Sequence, residues 1–175
     1  MDDIVKQAMR KWPHVPHCYG WLGLDMRGDW YMRDDAVQAQ GAFAQAKGAK
    51  LLHDKLIEFI ARNYEADARG CWYFQNGPQR VYVELIKTPW VWRWQPNGEF
   101  RSHTGEIAQV IGALSDEDGC LYLHTPSGLG LVHTQDVGVT VDWIEQQQMP
   151  IEAVQAADLP DRFGYVLSPQ ALNAK

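Results

Sequence analysis

Apolar positions follow a helical period in three stretches of the chain and alternate singly in most of the rest. Residues 2–11 place Ile4, Val5, Ala8 and Met9 on one side of a 3.6-residue repeat, which predicts a short helix. Asp2 and Asp3 at its start and Lys6, Arg10 and Lys11 towards its end suit the helix dipole. Pro13 ends it, and "PHVP" continues in an extended form. The helical period returns in "HDKLIEFIARNYEAD", where Leu56, Ile57, Phe59, Ile60 and Tyr64 form a wide apolar face behind Asp54 as N-cap. It returns again in "TGEIAQVIGALSDEDG", where Ile107, Val110, Ile111 and Leu114 follow a capping Thr104.

Elsewhere alternation and turn residues predict hairpins. Residues 21–25 and 29–33 flank a turn at Met26-Arg27-Gly28, and "CWYFQNGPQRVYVELI" turns at Asn76-Gly77-Pro78. "WVWRWQPNGEFRSH" turns at Pro96-Asn97-Gly98, and "CLYLHTPSGLGLVHT" around Pro126-Ser127-Gly128. Residues 36–50, rich in Ala, Gln and Gly, read as a loop with a turn of helix. Val137 to Trp143 reads as a strand, "RFGYVLSP" as a last edge strand, and "QALNAK" as a fraying end.

The order hairpin, helix, hairpin thus occurs twice. Leu22, Leu24, Gly28 and Trp30 match Trp92, Trp94, Gly98 and Phe100, and Gly70, Cys71, Tyr73 and Val83 match Gly119, Cys120, Tyr122 and Val132. The expected fold is α+β: two ββαββ units related by a pseudo-twofold axis, an internal duplication packed into one body, with an N-terminal helix alongside. A four-stranded unit with one helix leaves a sheet face uncovered, so the two units are expected to pair. The expected divisions are an N-terminal helix and linker over 1–17, a first unit over 18–88, a second over 89–136, and C-terminal strands and tail over 137–175.

Alternation also places candidate chemistry. Cys71, Tyr73 and Gln75 share one face of their strand, as do Cys120, Tyr122 and His124. The bland reading of both thiols is a small buried apolar residue beneath a helix. The sharper one is a site at the junction of the repeats, with Cys71, Cys120 and His124 as catalytic candidates and Tyr73, Tyr122, Trp92 and Trp94 as ligand-binding ones. A thiolate nucleophile needs a base within reach and a positive surrounding, and the sequence supplies a histidine without a nearby cation. Trp90, Trp92 and Trp94 line one strand face; the matching Leu22 and Leu24 favour core over an exposed stacking surface. His14, His17 and Cys18 are metal-ligand types, but a polyproline-like stretch would set the histidines about 9 Å apart, and no CxxC or HxxxH completes a set. His53 and His103 stand at expected helix starts, where capping or surface roles compete with anion binding.

Composition narrows the classes. Hydrophobic residues make up 46%, and eight tryptophans, seven tyrosines and five phenylalanines lean towards sheet. With 16 basic and 22 acidic residues the net charge is -6, and no basic stripe exists for nucleic acid. Three cysteines do not suggest a disulfide framework, and no segment is long and apolar enough for a signal peptide or a membrane span. A cytoplasmic protein without metal or cofactor is expected. No GxSxG, GxGxxG, P-loop or HExxH occurs.

The stretches "HCYGWLGLDMRGDWYMRDD", "HDKLIEFIARNYEADARG" and "CWYFQNGPQRVYVEL" resemble a family of uncharacterised proteobacterial proteins of about this length, classed as a domain of unknown function. The resemblance implies a bacterial protein and carries no activity, cofactor or site residue with it. The functional expectation is a non-enzymatic protein that binds a small ligand or a protein partner, or pairs as a homodimer. The alternative is an enzyme of unfamiliar type using the Cys/His/Tyr set.

Overall fold

Four five-residue turns decide where this chain doubles back, and each carries glycine in its fourth position. They are Asp25–Asp29, Asp67–Cys71, Gln95–Glu99 and Asp116–Cys120, with Gly28, Gly70, Gly98 and Gly119 at φ between 78° and 83°. In each, the first amide donates to the last carbonyl, at 3.0, 2.9, 2.8 and 3.1 Å respectively. A left-handed residue at this place is the bulge that lets a type I turn join two right-twisted strands, and glycine adopts it without strain.

The computed structural model describes residues 1–174. They divide into two units: residues 1–25, 29–86 and the segment from Tyr165 onwards, and residues 26–28 with 87–164. The first unit opens with α1 (Asp3–Lys11), held by the Asp2 amide on Asn63 Oδ1 at 2.8 Å. Its strands are β1 (Cys18–Leu24), β2 (Trp30–Met32), β3 (Ala49–Lys50), β4 (Tyr64–Ala66), β5 (Trp72–Asn76) and β6 (Gln79–Leu85), with α2 (Asp35–Gln38) and α3 (Asp54–Arg62) between them. The sheet order is β3-β2-β1-β6-β5-β4, with β1 and β6 parallel and the other pairs antiparallel. Arg33, fully buried, organises the long β2–β3 connection by donating to the carbonyls of Ala46, Gly20 and Gly41 at 2.9, 3.2 and 2.6 Å.

The second unit contains β7 (Trp90–Trp94), β8 (Phe100–Ser102), β9 (Gly112–Ser115), β10 (Leu121–Thr125), β11 (Gly128–Val132), α4 (Val137–Gln146), β12 (Ile151–Ala153) and α5 (Leu159–Phe163). Its sheet order is β12-β9-β10-β11-β7-β8. Without β3 and β12, the two orders are the same list: β2-β1-β6-β5-β4 and β8-β7-β11-β10-β9. The register agrees as well. Leu22 lies beside Val83 in the first unit and Trp92 beside Val132 in the second, while Tyr73 faces Tyr82 and Tyr122 faces Leu131. The duplicated α+β architecture is therefore present in strand order and in the register of the central pairs.

Several local expectations fail. Each repeat has a fifth strand, β4 or β9, so the unit is not ββαββ. The helix expected over 104–119 is absent: residues 103–111 form turns and irregular chain, and 112–115 are β9. These nine residues correspond to α3, which has five good helix formers, Lys55, Leu56, Glu58, Ala61 and Arg62, and no glycine. In their place stand Thr104, Ile107, Val110 and Ile111, all β-branched, and Gly105 at φ +93°. Ser102 Oγ accepts from the amides of Thr104 and Glu106 at 3.2 and 3.0 Å and so stabilises the turn instead. Asp54 is the first residue of α3 rather than its cap; His53 Nδ1 accepts from the Leu56 amide at 3.2 Å.

Residues 137–143 begin a helix, not a strand. Thr140 and Ile144, four apart, are both buried, and Thr140 Oγ1 donates to the Asp136 carbonyl at 2.7 Å, so i,i+4 burial overrides β-branched propensity. The expected edge strand in "RFGYVLSP" is interrupted by Gly164, left-handed at the end of α5. Beyond it Val166 donates to Gly70 and Leu85 donates to Leu167, at 3.0 and 2.8 Å, without a regular ladder. The tail then winds into α6 (Pro169–Asn173), capped by Ser168; Lys175 lies outside the described residues.

Candidate functional site

The repeated Gly-Cys-x-Tyr belongs to a hydrogen-bonded turn whose first residue is an aspartate. Asp67 Oδ1 accepts from the amides of Arg69 and Cys71 at 2.9 and 3.0 Å. Asp116 Oδ1 accepts from those of Asp118 and Cys120 at 3.0 and 2.8 Å. The other carboxylate oxygen takes a tyrosine hydroxyl: Tyr82 on Asp67 at 3.1 Å, Tyr122 on Asp116 at 2.6 Å. Each aspartate also has a cation, Arg69 at 3.0 Å and Lys87 at 3.3 Å. Burial opposes ionisation of both carboxyls, but the hydrogen bonds outweigh it and hold both pKa values below the usual range.

The thiols that drew attention are therefore the closing residues of these turns. Cys71 is fully buried and Cys120 half-buried, and the two belong to different units. Burial first, and the neighbouring aspartate second, push both thiols up. His124 sits edge-on to Phe163 with ring centroids 4.9 Å apart. Trp92 is fully buried, stacked on Trp90 at 5.9 Å, and Trp94 packs edge-on against Phe100 at 4.9 Å. His103, away from any helix, accepts from the Val91 amide at 3.3 Å, and burial lowers it to about 3. Among the described residues no three His, Cys, Asp or Glu side chains are placed to share a metal ion.

What distinguishes the units is the chemistry of one sheet face. In the first unit, pairing places Glu65 opposite Tyr73, Tyr73 opposite Tyr82, and Gln75 opposite Arg80. In the second unit the equivalent positions are Leu114, Tyr122, Leu131, His124 and Leu129. One backbone is thus built twice, and where the first copy has Glu65, Arg80 and Tyr82 the second has three leucines, all buried. Sheet formation does not need those polar groups.

On the polar face, Tyr82 is the hub. Tyr19 stacks on it at 4.6 Å with planes 7° apart, Tyr73 lies at 5.5 Å, and His17 meets it edge-on at 5.8 Å. The Tyr73 hydroxyl donates to Glu65 at 2.7 Å. The Arg80 guanidinium lies 4.5 Å above the Tyr73 ring, a cation–π distance. Arg69 is neutralised by Asp67, whereas no carboxylate among the described residues pairs with Arg80. The His17 pKa is lowered, by burial first and then by the charges of Arg80 and Arg69. Burial raises the Tyr73 and Tyr82 phenols, helped for Tyr73 by its bond to Glu65 and for Tyr82 by its bond to Asp67.

Beside these residues opens a cleft of about 360 Å³ lined by Met9, Trp12, Pro13, His17, Gln75, Pro78 and Arg80. Gln75 is 1% exposed, and its Nε2 donates to the Gly77 carbonyl at 3.0 Å. Its Oε1 is buried without a hydrogen-bond partner. Of the cleft residues, His17 is marked in the sequence as a metal-ligand type and Gln75 by sharing a strand face with Cys71 and Tyr73; Arg80 and Tyr82 carry no such mark, although the alternation in "RVYVEL" places both, with Glu84, on one face.

Two solved structures are similar in fold. One is a DUF1285 family protein from Silicibacter pomeroyi DSS-3, with TM-score 0.50 and 13% identity, covering 77% of this chain and 74% of that one. The other, a DUF1285 family protein from Shewanella baltica OS155, has TM-score 0.47 and 16% identity over 70% of this chain and 91% of that one. At 13% identity the likeness to the first is one of fold alone. No curated protein matches the sequence. The model of one family, described as "Protein of unknown function (DUF2946)", matches residues 1–170. The chain, duplicated sheets included, belongs to that family, DUF2944.

Proposed function

We propose that this chain is a non-enzymatic, cytoplasmic binding protein whose ligand site is the cleft beside Arg80, and that the ligand is a small organic anion. The observation that carries the reading is Arg80 itself: a guanidinium without a carboxylate partner among the described residues, lining a cleft, at a position where the second copy of the fold has a buried leucine. A guanidinium offers five donors in a planar fork suited to carboxylate or phosphate. The groups around it suit binding better than proton transfer. The Cys71 thiol and the Tyr73 and Tyr82 phenols are raised, and His17 is lowered, so none of these four is tuned towards neutrality as a general acid or base would be.

The test is thermal denaturation of the wild type and Arg80→Leu against a panel of small carboxylates and phosphates. Ligands should raise the wild-type midpoint in a concentration-dependent way and leave the variant unmoved. A variant that responds as the wild type does would sink the assignment.

A further inference from the structure

The cleft has a second polar feature besides its cation. Gln75 stands directly opposite Arg80 in the antiparallel pair β5–β6, which sets their Cβ atoms about 5 Å apart on one face. The Gln75 amide cannot turn its nitrogen into the cleft without giving up its bond to the Gly77 carbonyl, so the group left over is the acceptor, Oε1. A buried acceptor without a partner is costly, and such groups in folded proteins are nearly always satisfied by something. Arg80 and Gln75 thus stand side by side in the cleft wall, the one an anion clamp and the other holding an unpartnered acceptor just beneath the surface. The remaining lining, from Met9, Trp12, Pro13 and Pro78, is apolar or aromatic.

Resting on the binding reading above, we infer that the ligand is a planar ring carboxylate with an uncharged N–H or O–H donor next to the carboxylate. The carboxylate meets Arg80, the donor meets Gln75 Oε1, and the ring lies among Trp12, His17 and the two prolines. The donor is uncharged for an electrostatic reason. Burial first, and then the charges of Arg80 and Arg69, disfavour protonation of His17, and an ammonium seated at Gln75, directly opposite Arg80, would be repelled by that guanidinium itself. Free α-amino acids are thereby excluded, while ring N–H groups and phenols are accepted. The volume agrees: 360 Å³ lies at the small end of ligand pockets and suits a single ring or a fused pair.

Two nearly isosteric probes isolate the donor. Pyrrole-2-carboxylate has an N–H where furan-2-carboxylate has an oxygen, and both are anions at neutral pH. Titration of the full chain, followed by the His17 ring resonances in NMR and by calorimetry, should show saturable binding of the pyrrole. The furan should bind about tenfold more weakly, the worth of one hydrogen bond plus the cost of facing an acceptor with an acceptor. Proline, an ammonium carboxylate, should leave His17 unmoved. Arg80→Leu, whose equivalent in the second unit is Leu129, should lose both ring carboxylates while keeping the wild-type melting temperature within a few degrees.

Equal affinity for pyrrole and furan, still dependent on Arg80, overturns the ligand class and leaves the binding reading standing. Binding indifferent to Arg80→Leu, or no saturable shift with either probe, overturns both. Because the pyrrole–furan ratio is measured on the wild type, no variant has to fold for the inference to fail.

Discussion

Replacing Asp116 by alanine should be among the most damaging single changes in the second unit. Its side chain is fully buried, and it accepts from the Tyr122 hydroxyl at 2.6 Å, the Cys120 amide at 2.8 Å and the Asp118 amide at 3.0 Å, with Lys87 at 3.3 Å. Asp118 is exposed, so water replaces its bond, and Lys87, 22% exposed, can turn towards solvent once its partner is gone. The Tyr122 and Cys120 bonds to a buried charge are worth about 1.5–3 kcal/mol each and are not additive, giving a loss of about 3–4 kcal/mol. For a chain of this size that lowers the melting temperature by about 10 °C. Asp67→Ala, at the equivalent place but with longer bonds and a more open carboxylate, should cost less, about 2 kcal/mol.

The assay is urea unfolding of wild type and variant across pH. The Asp116 carboxyl is held below its ordinary range, so its contribution is complete above about pH 4 and fades as pH falls through the lowered native value. The gap between the two proteins should be flat from pH 6 to 8 and close in acid. A loss under about 1 kcal/mol at neutral pH, or a gap unchanged in acid, would refute the reasoning.

Two further outcomes follow from packing. Gly130→Ala would set a methyl 2.1 Å from Trp92 Nε1 and 2.7 Å from Trp90 Cβ, within a stacked indole pair, so equilibrium unfolding should show a loss of at least about 2–3 kcal/mol. In the native protein Cys71, fully buried and raised in pKa, should react with a thiol reagent only at the rate of unfolding; fast modification with an apparent pKa below that of free cysteine would revive a catalytic role.

Much of the duplication could be read along the chain because turn chemistry and alternation are local. Gly28, Gly70, Gly98 and Gly119 mark their turns whatever lies around them, and the pairs Leu22/Trp92 and Tyr73/Tyr122 hold their register in the folded sheets. The helix of 54–62 could be read for the same reason. Its counterpart over 103–111 could not, since apolar residues at helical spacing also suit turns when Gly105 and Ser102 offer the backbone other partners. Residues 137–146 show the reverse: Val137, Val139 and Val141 favour a strand in isolation, and only burial of Thr140 and Ile144 makes them a helix.

The candidate site depended on the tertiary structure more heavily. Alternation alone set Cys71, Tyr73 and Gln75 on one face, but which strand lies beside them is a matter of pairing. Sequence distance says nothing of the parallel contact between β1 and β6 that brings His17 and Tyr19 to Tyr82. Nor does residue type tell that Asp67 and Asp116 hold their turns together, that no carboxylate among the described residues pairs with Arg80, or that Gln75 keeps a buried oxygen unmatched among them. Where the chain turns and which residues share a strand face depend on neighbours one to four positions away, so both are legible along the chain. The fold alone decided which faces meet and which charges stay uncompensated, because partners 60 residues apart exert no local influence on one another until the sheet has formed.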